Sequence, residues 1–155
     1  MANAKGQIMD TTNRGKLAED ILLKHLQLLS KNAECIHMRI PDAHGGALAP
    51  KPGDFLHMKA GELFLIECKS VMHEYRLPYK NVDPGQVARL RRWALAGAKS
   101  YIMIYHANVD KWRVRPADHF VERPFSSWDF RVGRDIPTTL VDTFTRMYDH
   151  NNNSK

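Results

Sequence analysis

A chain of 155 residues with 43% hydrophobic content fits one domain with its own core. Its formal net charge of +6 favours a polyanionic partner. No run approaches the roughly 18 apolar residues of a membrane-spanning helix, so a helical membrane protein is excluded. Residues 1–13 lack the apolar stretch of a secretory leader. Cys35 and Cys68 show no metal-ligand spacing. The reading is a cytoplasmic protein with reduced, buried thiols.

Residues 1–12 are small and polar, and a flexible N-terminus is expected there. Asn13-Arg14-Gly15 then leads into a predicted helix over about 16–30, with Leu17, Ile21, Leu22, Leu28 and Leu29 on its apolar face. Glu19 borders that face. Such an acid is ordinarily just solvated, and it also stands where a carboxylate must stand to reach a metal from a helix. Residues 35–40 alternate apolar with polar and predict a first strand. The Gly- and Pro-rich stretch 42–52 predicts a loop, in which His44, Lys51 and two adjacent glycines could approach a phosphate backbone.

The stretch 52–69, PGDFLHMKAGELFLIECK, carries the chemistry. Ala60-Gly61 offers a tight turn between the apolar segment 55–58 and the run Glu62-Leu-Phe-Leu-Ile66. A hairpin centred on that turn sets Asp54 opposite Glu67 with both side chains on one face, and Lys69 shares it. Two facing carboxylates at the end of a buried strand repel and lose hydration, so a cation is called for. Lys69 supplies one charge. A hard divalent ion would supply more, with the means to activate water and steady charge on a phosphate. The plainer reading is a surface ion cluster closing a hairpin.

Residues 70–81 mix His73, Tyr75, Arg76, Tyr79 and Lys80 without periodicity and predict a loop suited to nucleic acid. Asp83-Pro84-Gly85-Gln86 is a helix start, with Asp83 as cap and Gln86 completing a capping box. That helix is expected to run to about residue 96, with Val87, Leu90 and Ala94 inward and Arg89, Arg91 and Arg92 forming a basic face. Gln86 has a second reading, as a side chain orienting water or phosphate. Residues 99–106 and 112–115 predict a buried strand and its hairpin partner, and a short helical turn follows to Phe120. Residues 122–134 read as irregular, with Phe125 and Trp128 packed on the body. A final helix is expected over about 137–148, and 151–155 as a disordered polar tail.

This order gives one α/β domain over 13–150 with a mixed sheet flanked by helices, an αβββαβ core. Acids on its second and third strands, with Glu19 on the first helix, resemble the PD-(D/E)xK nuclease superfamily of restriction-endonuclease-like fold. Asp54 matches the first acid of its motif, and Glu67-Cys68-Lys69 matches E-x-K. Asn13-Arg14-Gly15 followed by Glu19 is similar to the opening of RecU-type Holliday-junction resolvases. Gln86, Gly97-Ala98 and Val114-Arg115-Pro116-Ala117 extend that likeness. The chain lacks the longer segment that RecU-type proteins carry before the acidic hairpin, and its length suits a compact phage-type resolvase or one of the archaeal kind.

The resemblance implies a Mg²⁺- or Mn²⁺-dependent DNA endonuclease that cuts four-way junctions as a homodimer, in a bacterial host if phage-encoded. Asp54, Glu67, the Cys68 carbonyl and Glu19 would hold the metal, with Lys69 and Gln86 completing the catalytic set. Arg14, Lys51, Lys80, Arg89 and Arg92 would contact DNA. A nuclease acting on linear, flapped or single-stranded DNA and a non-catalytic DNA-binding module are the rival readings.

Overall fold

The run Glu62–Val71 is the middle strand of five, and the helices take their places from its two faces. The computed structural model describes residues 11–42, 50–124, 126–131 and 135–153. The expectations for 1–10, His44 and its neighbouring glycines, Phe125 and 154–155 lie outside the described residues. In chain order the elements are α1 (Thr11–Leu29), β1 (Cys35–Arg39), β2 (Phe55–Lys59), β3 (Glu62–Val71), β4 (Arg76–Pro78), α2 (Pro84–Leu95), β5 (Lys99–His106), β6 (Lys111–Pro116), β7 (Ser127–Asp129) and α3 (Leu140–Asn153). Short 3₁₀ turns cover Tyr79–Asn81 and Ala117–Phe120.

The main sheet has the order β1-β2-β3-β5-β6. Its pairings are antiparallel except that of β3 with β5, which α2 makes possible as a crossover. The expected mixed αβββαβ sheet is what the chain forms. Alternation along β3 divides the core. Phe64 and Ile66 face one way and pack with Leu22 and Leu26 of α1 and Phe144 and Met147 of α3. Leu65 and Val71 face the other way, towards Val87 and Leu90 of α2, Phe120 and Trp128. The β2–β3 hairpin keeps the expected register, Phe55 opposite Ile66, and Ala60 and Gly61 both take positive φ (49° and 83°) in its turn.

Four expectations are corrected. Helix α1 begins at Thr11 rather than near residue 16, so residues 11 and 12 belong to it. Within 70–81 and 122–134 lie β4 and β7, which pair as a second, two-stranded sheet. Leu77 and Trp128 sit opposite each other there and are buried, but three-residue strands are too short to show a period. Ala94 is exposed, as is every residue from Arg91 to Gly97, so the last turn of α2 has no packing face. Helix α3 starts at Leu140 because Thr138 is tied to Trp112 by two backbone hydrogen bonds. It runs on to Asn153, with Asn151 buried and donating to Glu62 at 2.8 Å, so residues 151–153 are helix and not tail.

Candidate active site

Strand β3 outruns β2. Their pairing ends at Phe55 and Ile66, while β3 stays paired with β5 as far as Val71 and His106. From Glu67 onward β3 therefore has an open side, and its backbone donors there need other partners. Asp54 fills this need: its Oδ2 accepts from the Cys68 N–H at 2.8 Å, and its own N–H donates to the Ile66 carbonyl at 2.9 Å. Gly53 brings the chain in close. A Cβ on it would stand 2.9 Å from Leu65 Cδ1 and 3.3 Å from the Ile66 carbonyl oxygen.

Asp54 and Glu67 are both buried at this opening. Burial raises the Glu67 carboxyl to about 7, with the Asp54 charge adding to the shift and Lys69 opposing it. Glu19 reaches the same place from α1. Its carboxyl is also raised to about 7, by burial, then by the charge of Asp54 and a hydrogen bond with it. Arg39 on β1 offsets part of this from 3.3 Å. Burial and the surrounding acids push the Cys68 thiol up as well.

On the α2 side, Lys69 Nζ lies 3.4 Å from Glu67 Oε1 and donates to Gln86 Oε1 at 2.8 Å. Gln86 Nε2 donates to Glu67 at 3.3 Å. The capping box is present too, with Gln86 Oε1 accepting from the Asp83 N–H at 3.4 Å. The capping reading of Gln86 is realised, and its side-chain amide also reaches Lys69 and Glu67. It starts α2 and closes a Glu67–Lys69–Gln86 triangle that fixes the ammonium over the opening.

Among the described residues no three His, Cys, Asp or Glu side chains form a ready metal cage. The donors still suit a hard ion. Mg²⁺ takes oxygen ligands, commonly one or two carboxylates with phosphate and water in the remaining positions. Asp54, Glu67 and the Cys68 carbonyl are a set of that kind, and the carboxyls of Glu19 and Glu67 are raised to about 7 by burial first and by the Asp54 charge second.

The candidate DNA contacts fall into three groups. Arg14 and Lys80 line one groove with His73 and Asn81, and Asn81 continues into a second, lined by Gly15, Cys68, Lys69 and Ser70. Lys51 is held by carboxylates, 2.6 Å from Asp42 and 2.9 Å from Asp54. Arg89 is one turn beyond Gln86 on the same flank of α2, while Arg92 lies about 120° away around the axis and is exposed. Sequence reasoning missed Arg39, Asp42 and Asn81. Arg39 meets Glu19 from 20 positions away, and Asn81 shares a groove with Gly15 and Cys68, so their places depend on tertiary folding.

A comparison with curated proteins gives no match. Among solved structures the chain is similar to Hjc, a Holliday junction resolvase of Archaeoglobus fulgidus. The identity is 21% and the TM-score 0.57, with 83% of this chain and 98% of that one covered. It is also similar to the bacterial homing endonuclease I-Ssp6803I, at 11% identity and a TM-score of 0.55, over 95% of this chain and 99% of that one. At such identities the likeness speaks for the fold. The family model described as archaeal Holliday junction resolvase (Hjc) matches residues 10–147, which takes in Glu19, the acidic hairpin, Lys69 and Gln86. The chain belongs to the archaeal Holliday junction resolvase family, as a junction-resolving nuclease.

Proposed function

We propose that the chain hydrolyses phosphodiester bonds at four-way DNA junctions with Mg²⁺ or Mn²⁺ held by Asp54, Glu67 and the Cys68 carbonyl, assisted by Glu19. The observation that carries this reading is the meeting of Asp54 with the end of β3, beside the Glu67–Lys69–Gln86 triangle. When bound, the ion supplies charge neutralisation on the phosphate and acidifies water. Lys69, fixed by Gln86 and Glu67, holds a positive charge where negative charge develops. Gln86 keeps that ammonium in place and offers its amide to water or phosphate. Arg14 and Lys80 track the strand along the groove, with Arg89 and Arg92 as outer contacts, and Lys51 meets phosphate once released from Asp54.

A homodimer belongs to the same reading, because paired cuts in a two-fold substrate call for two related sites. Support comes from the sheet face near β1. There Ile36, Met38 and Met58 stand exposed on the α2 side, Ile36 directly opposite Met58. Apolar side chains grouped on one open face suit a second copy of the chain. The Asn13-Arg14-Gly15 and Glu19 signature, resembling RecU-type and phage resolvases, belongs to this assignment too. Among the described residues no helix is long and apolar enough to cross a membrane, and we place the protein in the cytoplasm with its DNA.

The test is cleavage of a labelled four-way junction beside a linear duplex of the same arms, with Mg²⁺, Mn²⁺ or chelator. Paired symmetric cuts in the junction alone, lost with chelator and in Asp54→Asn, are the expected result. Equal cutting of both substrates would assign a general nuclease instead.

A further inference from the structure

The Lys51 ammonium occupies the outer oxygen of Asp54. Of the two carboxylate oxygens, Oδ2 is taken by the Cys68 N–H, and Oδ1 faces Lys51 Nζ at 2.9 Å. The same ammonium lies 2.6 Å from Asp42 Oδ1. Exposure separates the two carboxylates: the side chain of Asp54 is 7% exposed and that of Asp42 76%, with Lys51 between them at 27%. Lys51 thus spans from the acid cluster to the surface. Its charge also lowers the carboxyls of both Glu19 and Glu67, so all three acids of the site feel it. Burial opposes the charged ammonium, but hydrogen bonds with Asp42 and Asp54 outweigh this and raise its pKa. Lys69 sits beside Glu67 and Arg39 beside Glu19, and Lys51 is the cation on Asp54.

An ammonium and a divalent ion cannot both bind that oxygen at contact distance without strong repulsion. One has to leave. Lys51 has somewhere to go, since Asp42 can retain it at the surface. We infer that Lys51 is the acid cluster's own counter-cation: it holds Asp54 Oδ1 in the metal-free protein and yields it to the entering divalent ion, while Asp42 keeps the displaced ammonium beside the site. The inference rests on the reading above that Asp54 binds the ion. It makes Lys51 a positioning residue, which lowers metal affinity in the absence of DNA and relieves the repulsion among the acids until an ion arrives.

The experiment measures Mn²⁺ binding to the full chain without DNA, read from the free-Mn²⁺ signal in electron paramagnetic resonance. Wild type is compared with Lys51→Met, Asp42→Asn, Asp54→Asn and Lys80→Met, the last removing a charge from the neighbouring groove. Lys51→Met is expected to tighten Mn²⁺ binding several-fold, up to about tenfold, the equivalent of no longer breaking one partly screened ion pair. Asp42→Asn, which takes away the ammonium's second partner, is expected to weaken binding by a few-fold. Should Lys51→Met fail to fold, the exposed Asp42 position decides alone, and unchanged binding there overturns the inference. Lys80→Met tightening binding as much as Lys51→Met would show a general field effect and overturn it as well. If Asp54→Asn binds Mn²⁺ like wild type, the metal assignment fails and this inference with it. If Asp54→Asn loses binding while Lys51→Met leaves it unchanged, the inference alone fails.

Discussion

Among the described residues two clusters of buried charge can be set side by side, one of carboxylates and one of guanidinium groups. The second lies across β5 and β6. Arg113 is almost fully buried and donates to the backbone carbonyls of Glu74 and Asp135, while its Nε faces the Asp135 carboxylate at 3.5 Å. Arg115 pairs with the same carboxylate, and both guanidinium groups lie over the Phe130 ring. His106 completes the cluster. A guanidinium can only donate, so His106 Nε2 accepts from Arg113 at 3.0 Å and Nδ1–H donates to the His73 carbonyl at 2.5 Å. Here cations meet carbonyls, a carboxylate and a neutral ring. At the end of β3, by contrast, three carboxylates converge and depend on Lys51, Lys69 and Arg39. A cluster tied to backbone carbonyls on several elements holds those elements together, whereas carboxylates converging beside an open strand edge can take a ligand.

Breaking each cluster should give different kinds of loss. Asp54→Asn is expected to lower junction cleavage by at least on the order of 10²–10³-fold, the scale for removing one charge-stabilising group from an active site. Its circular dichroism spectrum should stay that of the wild type. Arg113→Met is expected to cost about 2–4 kcal/mol of stability in urea denaturation, because the Glu74 and Asp135 carbonyls and His106 Nε2 all lose their donor. Cleavage by this variant should fall only in step with its folded fraction. If Arg113→Met were as stable as wild type, the division between a structural and a functional cluster would not stand.

The two clusters also differ in how far local sequence reveals them. The register that sets Asp54 against Glu67 follows from where Ala60-Gly61 turns the chain, and the capping box that brings Gln86 to Lys69 is four consecutive residues. Both are short-range geometry, so a period of two and a helix start suffice to find them. The Arg113 cluster depends instead on Glu74 and Asp135, 39 and 22 positions away, and on the β4–β7 ribbon nearby. Along β6 alone, Arg113 between Trp112 and Val114 reads as the solvent-facing residue of a hairpin. Its burial becomes visible only once a tertiary partner covers it. Lys51 lies between these cases. Its place in sequence suggested a phosphate contact, but its two carboxylate partners required the fold.

A smaller effect sharpens the contrast. Glu67→Gln keeps the size of the side chain and a carbonyl oxygen for Lys69 and Gln86 while removing one of the converging charges. In the metal-free protein it is expected to raise stability by about 1–2 kcal/mol, as active sites commonly sacrifice stability for function. Thermal denaturation with and without Mn²⁺ reads this directly. The wild type should gain from the ion and the variant should not, so the two melting temperatures converge or cross. A variant less stable than wild type in chelator would mean that Glu67 is net stabilising, and the acids would then be structural.

The smallest expected effect is the acid sensitivity of the two buried histidines. Burial holds both His57 and His106 at about 4. The charge of Arg113 also lowers His106, whereas its bond to the His73 carbonyl pulls the other way. His57 sits in the α3-side core with Tyr148 Oη at 2.6 Å. A histidine near 6.5 when unfolded and near 4 when folded takes up its proton first in the unfolded chain. The stability it contributes is complete above pH 6.5 and is lost as pH falls towards 4. Between pH 7 and 5.5 this amounts to about 1 kcal/mol per histidine. Glu19 and Glu67, raised to about 7, act with the opposite sign over the same range, so the share of His57 is read as the difference between wild type and His57→Gln in urea denaturation at the two values. A slope that neither His57→Gln nor His106→Gln changes would require both rings to be protonated or solvated in the folded protein. His106 would then place a second positive charge against Arg113, and the β5–β6 cluster would be as frustrated as the one at β3.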